Sequence, residues 1–264
     1  MTSKVALFLA LPMLASAQAA LTSWTRSSDP GSGMVARDIA LASKDRMREA
    51  VAVLHAIAKT EKISSDQASQ SITIEGSARE AGLAEWLMGE LDKPDLGPYG
   101  HGYIMPHDAD DVTLVIGGLS VAPIQAGAAQ IATPPELQEI AGAIRVLGDV
   151  TRTAVYAPAS VLAWRGRVWQ NDFALWLLRE LASPPAVNWT EPISHRLDQA
   201  SPSVRIFYFG PGTRVSELGQ IASSVRLKTH VQRVAAIKAA RAIILRGTDI
   251  EAAAAELVVA AARR

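Results

Sequence analysis

The sequence predicts an α+β fold made of three tandem modules, each with the order strand, helix, strand, strand, helix. One observation is that Gly76, Gly166 and Gly247 each follow a short apolar run that ends in a charged residue. A second is that these glycines stand 90 and 81 residues apart with similar residues around them, which indicates an internal repeat. A three-stranded sheet with two helices on one face is the two-layer arrangement that buries the apolar side of such a module.

The composition is that of a folded protein without a global charge. Of the 264 residues, 49% are apolar and 20% are charged, which is too apolar for a disordered chain. Lys and Arg total 26 and Asp and Glu total 26, so no net field favours a nucleic acid partner. The sequence has no cysteine, which excludes disulfides and a cysteine nucleophile.

The first 19 residues have the pattern of a secretory signal peptide. Lys4 precedes an apolar run at 5–14, and small residues follow the run. The run has about half of the roughly 20 residues that a membrane-spanning helix needs, so no stable membrane insertion is expected. A buried amino-terminal helix is the alternative. With cleavage before Gln18 or Ala20, the mature protein is predicted to be periplasmic or secreted and to begin with a linker at 20–34.

The three predicted modules are residues 35–94, 112–184 and 204–264. The first helix of each module carries apolar residues at i, i+3, i+4 and i+7, which form one stripe. In the second module the stripe is Leu137, Ile140, Ala141, Ile144 and Leu147. A second helix follows the glycine in every module, and prolines prevent its continuation at the exits of the first two.

Nine strands are predicted from short apolar or alternating runs. The first strands of the modules are 36–41, 112–116 and 204–209, the middle strands are 62–64, 152–155 and 233–237, and the strands before the glycines are 72–75, 162–165 and 243–246. Each module therefore has three strands.

Local signals predict where the helices start. Ser43, Thr133 and Ser216 are expected at the N-caps or first turns of the first helices, and Ser77 and Thr248 at the N-caps of second helices. Gly76 and Gly247, which stand just before Ser77 and Thr248, are interpreted as positions where the backbone can adopt positive φ.

Linkers are predicted where the repeat pattern is interrupted. Residues 95–111 and 185–203 contain the Gly, Pro and Asp residues that are typical of spacers between modules. Residues 117–133 of the second module form a longer connection than a strand and a helix normally need, and they receive no assignment.

Two motifs carry a resemblance to a known family: Ile72–Gly76 continued by Leu83–Pro94, and Ala242–Thr248. They resemble the repeated periplasmic domains of bacterial secretins and are similar to the N1 type, which implies KH-like βαββα modules that pack side by side. Secretins also have a large carboxy-terminal pore region, which has no counterpart here, so this chain is expected not to form a pore by itself. The Gly-x-x-Gly clamp of RNA-binding KH domains is missing from the helical part of the modules, so RNA binding is not implied.

A group of side chains able to bind metal is His101, His107, Asp108, Asp110 and Asp111. Its spacing matches neither an EF-hand loop nor a helical His-x-x-x-His pair, so a solvated acidic linker is the simpler interpretation and metal binding the alternative. The sequence contains no nucleophile elbow, zinc-protease motif, phosphate loop or dinucleotide motif. No catalytic, cofactor-binding or metal residue is assigned, and the protein is predicted not to be an enzyme.

Trp164 and Trp169 bracket Arg165 and Arg167. An aromatic and basic cluster of this kind binds glycans by stacking or holds a partner protein. Packing in the core and at its rim is the alternative.

Aromatic and basic residues also recur at corresponding positions of different modules. Trp86 and Trp176 share such a position, three residues after Leu83 and Phe173, and helical packing is the favoured interpretation. Arginines at corresponding positions, Arg165 with Arg246 among them, are interpreted as solvent-exposed strand ends and helix faces.

The predicted function is protein–protein contact, as a scaffold or accessory of a cell-envelope assembly, without a cofactor. A protein partner in the envelope is expected, with self-association as a further option. The alternative is a glycan- or cell-wall-binding protein that uses the surface near Trp164 and Trp169. A hydrolase that uses carboxylates or the 101–111 group ranks last.

Overall fold

The computed structural model describes residues 23–26, 34–40, 46–60, 62–93, 96, 100–121, 130–185, 191–197 and 202–263. In this part of the chain the fold is α+β, with six α-helices and three main sheets. The predicted signal peptide and most of the linker predicted at 20–34 lie outside the described residues. None of the described helices is long and apolar enough to cross a membrane.

The helices coincide with the apolar stripes and with the segments after the repeat glycines. They are α1 (Met47–Ile57), α2 (Ala78–Leu91), α3 (Pro134–Gly148), α4 (Val168–Ala182), α5 (Val215–Thr229) and α6 (Asp249–Ala262). The strands are β1 (Ser23–Arg26), β2 (Met34–Ala40), β3 (Lys62–Asp66), β4 (Ser71–Ser77), β5 (Gly100–Met105), β6 (Asp108–Ile116), β7 (Ser120–Val121), β8 (Gln130–Ile131), β9 (Arg152–Tyr156), β10 (Val161–Arg167), β11 (Ile193–Arg196), β12 (Ser203–Tyr208), β13 (Arg233–Ile237) and β14 (Ala242–Gly247).

The three main sheets differ in size. The first sheet is antiparallel with the strand order β2-β4-β3. The second has the order β1-β5-β6-β10-β9, in which only β1 and β5 are parallel, and the third is antiparallel with the order β11-β12-β14-β13. β7 and β8 form a separate pair. The expected three strands are therefore found in the first sheet, whereas the second and third sheets are larger.

The additional strands come from stretches that composition marks as linkers. Within 95–111, β5 and the start of β6 form a hairpin, and its turn includes His107 with a φ of 61°. Within 185–203, β11 pairs with β12, and β1 from 20–34 pairs with β5. Backbone hydrogen bonds to a neighbouring strand hold such segments, so their side chains need little apolar character.

The chain forms two compact units, Met1–Leu119 with Thr151–Asn171 and Ser120–Val150 with Asp172–Arg264. In the first unit, α1 and α2 contact both the first and the second sheet. Ile72 and Ile74 of β4 share one apolar core with these helices and with residues of β9 and β10.

In the second unit both faces of the third sheet are covered. Phe207, Ile243 and Leu245 lie in one core with α5 and α6. Ile206 and Ile244 are equally buried, and they face the other side because side chains alternate across a strand. On that side α3 contacts β13 and β14.

Helix starts agree with the predicted caps at Thr133, Ser77 and Thr248. The side chains of Ser77 and Thr248 each accept a hydrogen bond from the backbone N–H three residues later, at 3.3 Å. α5 begins one residue before Ser216, which therefore lies in its first turn. Ser43 lies outside the described residues.

The repeat glycines do not use positive φ. Gly118 is the one glycine with positive φ among the described residues. A Cβ atom on Gly166 would lie 2.9 Å from Oε1 of Gln170, and one on Gly247 would lie 3.1 Å from Oε2 of Glu251. Each of these oxygens accepts the backbone N–H at the start of the following helix at 2.8 Å. A side chain at either position would therefore crowd the residue that caps the following helix.

Residues other than glycine adopt positive φ at two recurring sets of positions, which is an uncommon conformation for them. Lys59, Asp149 and His230 follow α1, α3 and α5, with φ of 58, 56 and 60°. Gln70, Ser160 and Arg241 precede β4, β10 and β14, with φ of 55, 49 and 47°. Within each set the residues stand 90 and 81 residues apart, as the repeat glycines do.

Gly148→Ala is expected to destabilise the second unit. A Cβ atom at Gly148, the last residue of α3, would lie 2.6 and 2.8 Å from Cδ1 and Cε1 of the buried ring of Phe173. Because the ring is enclosed, we expect a loss of about 1–3 kcal/mol in the free energy of unfolding, measured in urea. Gly142→Ala in the same helix is the control: its added Cβ meets nothing within 4 Å, so it should be neutral or stabilising. Equal midpoints for the two variants would contradict this expectation.

Candidate interaction surfaces

The second sheet presents an apolar face to α1 and α2. Tyr103 and Val115 lie on β5 and β6, and Tyr156, Val161 and Ala163 lie on β9 and β10. All five are buried in the core that contains the two helices. The strand register pairs Ala163 with Val115 and Val161 with Tyr156, which places their side chains on one face. We name this contact the first helix–sheet interface.

Arg165 connects this interface to the end of α1. Its Nη1 donates to the carbonyl oxygens of Ile57 at 3.4 Å and Ala58 at 3.3 Å. Its Nε and Nη2 donate to the two carboxylate oxygens of Asp111 at 2.8 and 2.5 Å. The end of a helix has unpaired carbonyl groups and a partial negative charge, so a guanidinium is favourable there. Arg165 therefore fixes α1 against the second sheet.

α2 contacts the same face through an aromatic ring and a carboxylate. The ring centroid of Trp86 lies 5.3 Å from that of Tyr103, with the planes tilted by 40°. Oε2 of the buried Glu90 lies 2.5 Å from Nδ1 of His101 and 2.5 Å from Nζ of Lys93. The carboxylate of Glu90 therefore has hydrogen-bond partners on β5 and just after the end of α2.

The third sheet presents a similar face to α3 and α4. Ile206, Ile237 and Ile244 are buried there, opposite the core formed with α5 and α6. Glu139 of α3 accepts the backbone N–H of Lys238 at 2.9 Å and lies 3.1 Å from its Nζ. We name this contact the second helix–sheet interface.

Arg233 and Arg246 bind the end of α3. Nη1 of Arg246 donates to the carbonyl oxygen of Leu147 and to Oδ2 of Asp149, both at 2.9 Å. Nη1 of Arg233 donates to the same oxygen of Asp149 at 2.5 Å. Partial burial acts to raise the pKa of Asp149, but the two arginines outweigh burial and hold that pKa below its ordinary value.

The lowered pKa of Asp149 predicts a loss of stability in acid. A group whose pKa is lower in the folded state stabilises the fold above its unfolded pKa, here 3.8, and this stabilisation is lost as the pH falls through the folded pKa. We expect Asp149→Asn to be less stable than the wild type at pH 7 and the difference to shrink as the pH falls below 3.8. Urea unfolding of both proteins across this pH range measures the difference, and a constant difference would contradict the assignment.

α4 adds an aromatic stack and a hydroxyl contact to the second interface. The ring of Trp176 lies 4.5 Å from that of His195, with the planes 15° apart. Burial lowers the pKa of His195, against the opposing charge of Asp172, so a neutral imidazole stacks on the indole at neutral pH. The hydroxyl of Tyr208 donates to the carbonyl oxygen of Glu180 at 2.7 Å, and burial raises the pKa of this tyrosine.

The two interfaces use positions with the spacings of the repeat glycines. The corresponding pairs are Arg165 and Arg246, Ile57 and Leu147, Trp86 and Trp176, and Glu90 and Glu180. In both interfaces an arginine at a strand end donates to the end of a helix, and a tryptophan of the second helix packs on a ring from the sheet. The same kind of contact is therefore made twice.

The interpretation of the shared arginines as solvent-exposed is wrong for Arg165 and Arg246, whose side chains are only 8% and 12% exposed. The sequence does not reveal these contacts because the hydrogen-bond partners of the two arginines lie at helix ends far away in the chain. One available signal was the recurrence of arginine at a position where the first segment has Glu75. An arginine at this position in the second and third modules, but a glutamate in the first, indicates a contact that the first module does not make.

The structure separates the residues of the predicted glycan-binding cluster. Trp164 is fully buried, and its Nε1 donates to Oδ1 of Asn171 at 2.7 Å. Trp169 is 37% exposed, and Arg165 belongs to the first helix–sheet interface. Stacking on a sugar needs an exposed ring face, so the buried Trp164 is not available for it.

The metal-capable group at 101–111 is divided among ion pairs. His101 and Asp111 belong to the first helix–sheet interface. Asp110 accepts hydrogen bonds from Nη1 of Arg167 at 2.5 Å and from the backbone of Val168 at 3.1 Å, which hold the pKa of Asp110 below its ordinary value. Within the described ranges, no three carboxylate or imidazole side chains come together as a metal site.

Three solved structures that are similar to this chain are secretins, the family that its motifs resemble. They are the pilotin–secretin AspS–GspD complex of ETEC (15% identity, TM-score 0.21), ExeD of Aeromonas hydrophila (13%, 0.20) and the type II secretion system secretin GspD of E. coli K12 (10%, 0.21). Each match covers 89% of this chain but only 39 to 42% of the secretin, so the chain spans about two fifths of their length. No protein-family profile matches the sequence, and no curated protein matches it either.

The outward face of the first sheet is polar. Ser71, Thr73 and Glu75 point away from the buried isoleucines of β4, and Glu75 binds Nζ of Lys62 at 2.8 Å. At the corresponding positions the second sheet has Val161, Ala163 and Arg165. The first sheet therefore lacks the apolar residues that the second and third sheets present to helices.

Large apolar side chains of α5 and α6 are exposed. They are Leu227, Ile250 and Leu257, which are 80%, 84% and 76% exposed and are the most exposed large apolar residues of the described chain. Ile250 and Leu257 are seven residues apart and lie on one side of α6. Leu257 stands 81 residues after Trp176, which packs on the third sheet. We name Ile250 and Leu257, on this side of α6, the open helix face.

Proposed function

We propose that the chain is an exported, non-enzymatic protein of three tandem βαββα modules that acts by protein–protein contact in a cell-envelope assembly. The modules are 35–94, 112–184 and 204–264, and the assembly is of the kind in which secretin-like domains take part. The role is that of a scaffold or accessory component.

Two features of the described residues support the tandem modules. The element order β2-α1-β3-β4-α2 recurs as β6-α3-β9-β10-α4, apart from the short pair β7 and β8, and as β12-α5-β13-β14-α6. The six residues with positive φ after the first helices and before the glycine strands recur with the same spacings. An irregular backbone angle is set by local geometry, so its recurrence supports a common module better than apolar periodicity alone.

The observation that carries the function is the repeated helix–sheet interface. The helices of one segment bind the sheet of the next through an apolar centre, a tryptophan and an arginine at the helix end. This is a surface built for binding another module. A chain that uses it twice internally is suited to use it again with a partner.

The positions of the charged side chains support a role without catalysis. Asp111, Asp149 and Glu90 are each engaged with cationic groups inside an interface, and the arginine partners of Asp111 and Asp149 bind helix ends. These carboxylates therefore take part in structural contacts.

Export and assembly are tested together in the native host. We expect amino-terminal sequencing of the mature protein to begin at Gln18 or Ala20. We also expect crosslinking in intact cells to place the protein in an envelope complex, with crosslinked peptides from a second envelope protein. An intact Met1 on most molecules together with a free monomer in the cytoplasmic fraction would overturn the proposal.

A further inference from the structure

We propose that the open helix face binds a β-sheet of a second protein, one whose central strands carry apolar residues and whose exposed face has an arginine at a strand end. This inference rests on the proposed function, because it assigns the partner contact to one face of the chain. The occupant is a sheet of another protein and not a second copy of this chain.

Leu257 of the open helix face corresponds in position to residues of the helices in the two interfaces. Trp86 and Trp176 pack on rings of the second and third sheets. Leu257 holds their position on α6. Leu257 therefore stands where the other two helix pairs contact a sheet.

The end of α5 resembles the helix ends that bind arginine in the two interfaces. The carbonyl groups of Ile57 and Ala58, which bind Arg165, correspond to those of Lys228 and Thr229. No arginine of the described chain donates a hydrogen bond to these two groups. The next residue has positive φ, as it has after α1 and α3, so the helix ends with the same geometry. An arginine on an incoming strand end complements this partial negative charge.

The outward face of the first sheet does not fit the open helix face, which excludes a second copy of the chain as the occupant. Among the described residues, the outward face of the first sheet has Ser71 and Thr73 where the second sheet has apolar residues. Glu75 stands at the position of the arginine, and its carboxylate would meet the negative end of α5. Like charges at this point oppose a head-to-tail contact. The sheet must therefore come from a protein that has a positive charge at the position of Glu75.

A graft on the full-length chain tests the proposal. Ser71→Val, Thr73→Ile and Glu75→Arg together give the first sheet the kind of face that binds helices. We expect the wild type to sediment as a monomer and the graft to self-associate head to tail at least tenfold more tightly. Adding Leu257→Glu to the graft should restore the monomer, while Glu85→Gln, on an exposed position of α2, should leave the association unchanged.

Several outcomes overturn the inference. They are a folded graft that stays monomeric, a graft whose association survives Leu257→Glu, and a wild type that dimerises through Leu257. A photo-crosslinker at position 257 in the native host gives a readout that does not depend on the graft. The crosslinked partner peptide should form a strand beside an arginine, and a helical peptide would contradict the proposal. If Leu257→Glu leaves the envelope complex intact, the partner binds elsewhere and the proposed function stands without this inference.

Discussion

Residues 200–264 expressed alone will not unfold in a cooperative transition at the temperature of the full chain. This fragment keeps the core of α5 and α6 but loses α3 and α4, which cover the other face of the third sheet. Val204, Ile206, Ile237 and Ile244 then become exposed to water. Exposure of four such side chains costs roughly 6–12 kcal/mol as an upper estimate, which matches the roughly 5–15 kcal/mol that stabilises a whole domain.

Thermal unfolding followed by near-ultraviolet circular dichroism measures this effect. The full chain in the same buffer is the control, because it retains the helices that cover the sheet. A broad melt or aggregation of the fragment is the expected result. A cooperative melt at the temperature of the full chain would show that the sheet does not need α3 and α4.

Arg165→Met is expected to destabilise the first unit by about 2–4 kcal/mol. The substitution leaves the carboxylate of Asp111 without its buried partner and removes the donor to the carbonyl groups at the end of α1. Removal of one member of a buried ion pair is costly because the other charge stays desolvated. Since Asp111 is partly exposed, we place the loss below that of a fully buried pair. Urea unfolding gives the difference in free energy.

Arg167→Met is the matched control for this prediction. Arg167 and Asp110 also form an ion pair with an N–O distance of 2.5 Å, two residues further along β10, but both side chains are well exposed. Solvated ion pairs contribute little to stability, so the control should unfold close to the wild type. Equal losses in the two variants would mean that burial of Arg165 at the helix end does not matter.

Local physics made the helices of this protein predictable. The apolar stripe of α3 follows the helical period, and the caps at Ser77 and Thr248 need only residues within one turn. The sequence also showed the recurrence of the repeat glycines, although it did not show why glycine stands at these positions. Their role depends on where a side chain four residues later lies, which the sequence does not state.

The additional strands were not predictable in the same way. β5 and β11 contain glycine, histidine and serine, and they are held by backbone hydrogen bonds to a neighbouring strand. Such bonds leave no mark in side-chain periodicity. Composition therefore indicated linkers where the chain adds strands to a sheet.

By itself the sequence determined the α+β class, the helices with their caps and the recurrence of residues every 81 to 90 positions, because each follows from periodicity, local hydrogen bonding or self-similarity. Only the tertiary structure decided which groups meet. Arg165 donates a hydrogen bond to a carbonyl oxygen 108 residues earlier in the chain. Trp164, which the sequence made a candidate for stacking on a sugar, is a buried side chain. The physical reason is that contacts between distant segments depend on which faces pack together. A charged or aromatic residue is the same letter in the sequence whether its side chain faces water or the end of a helix.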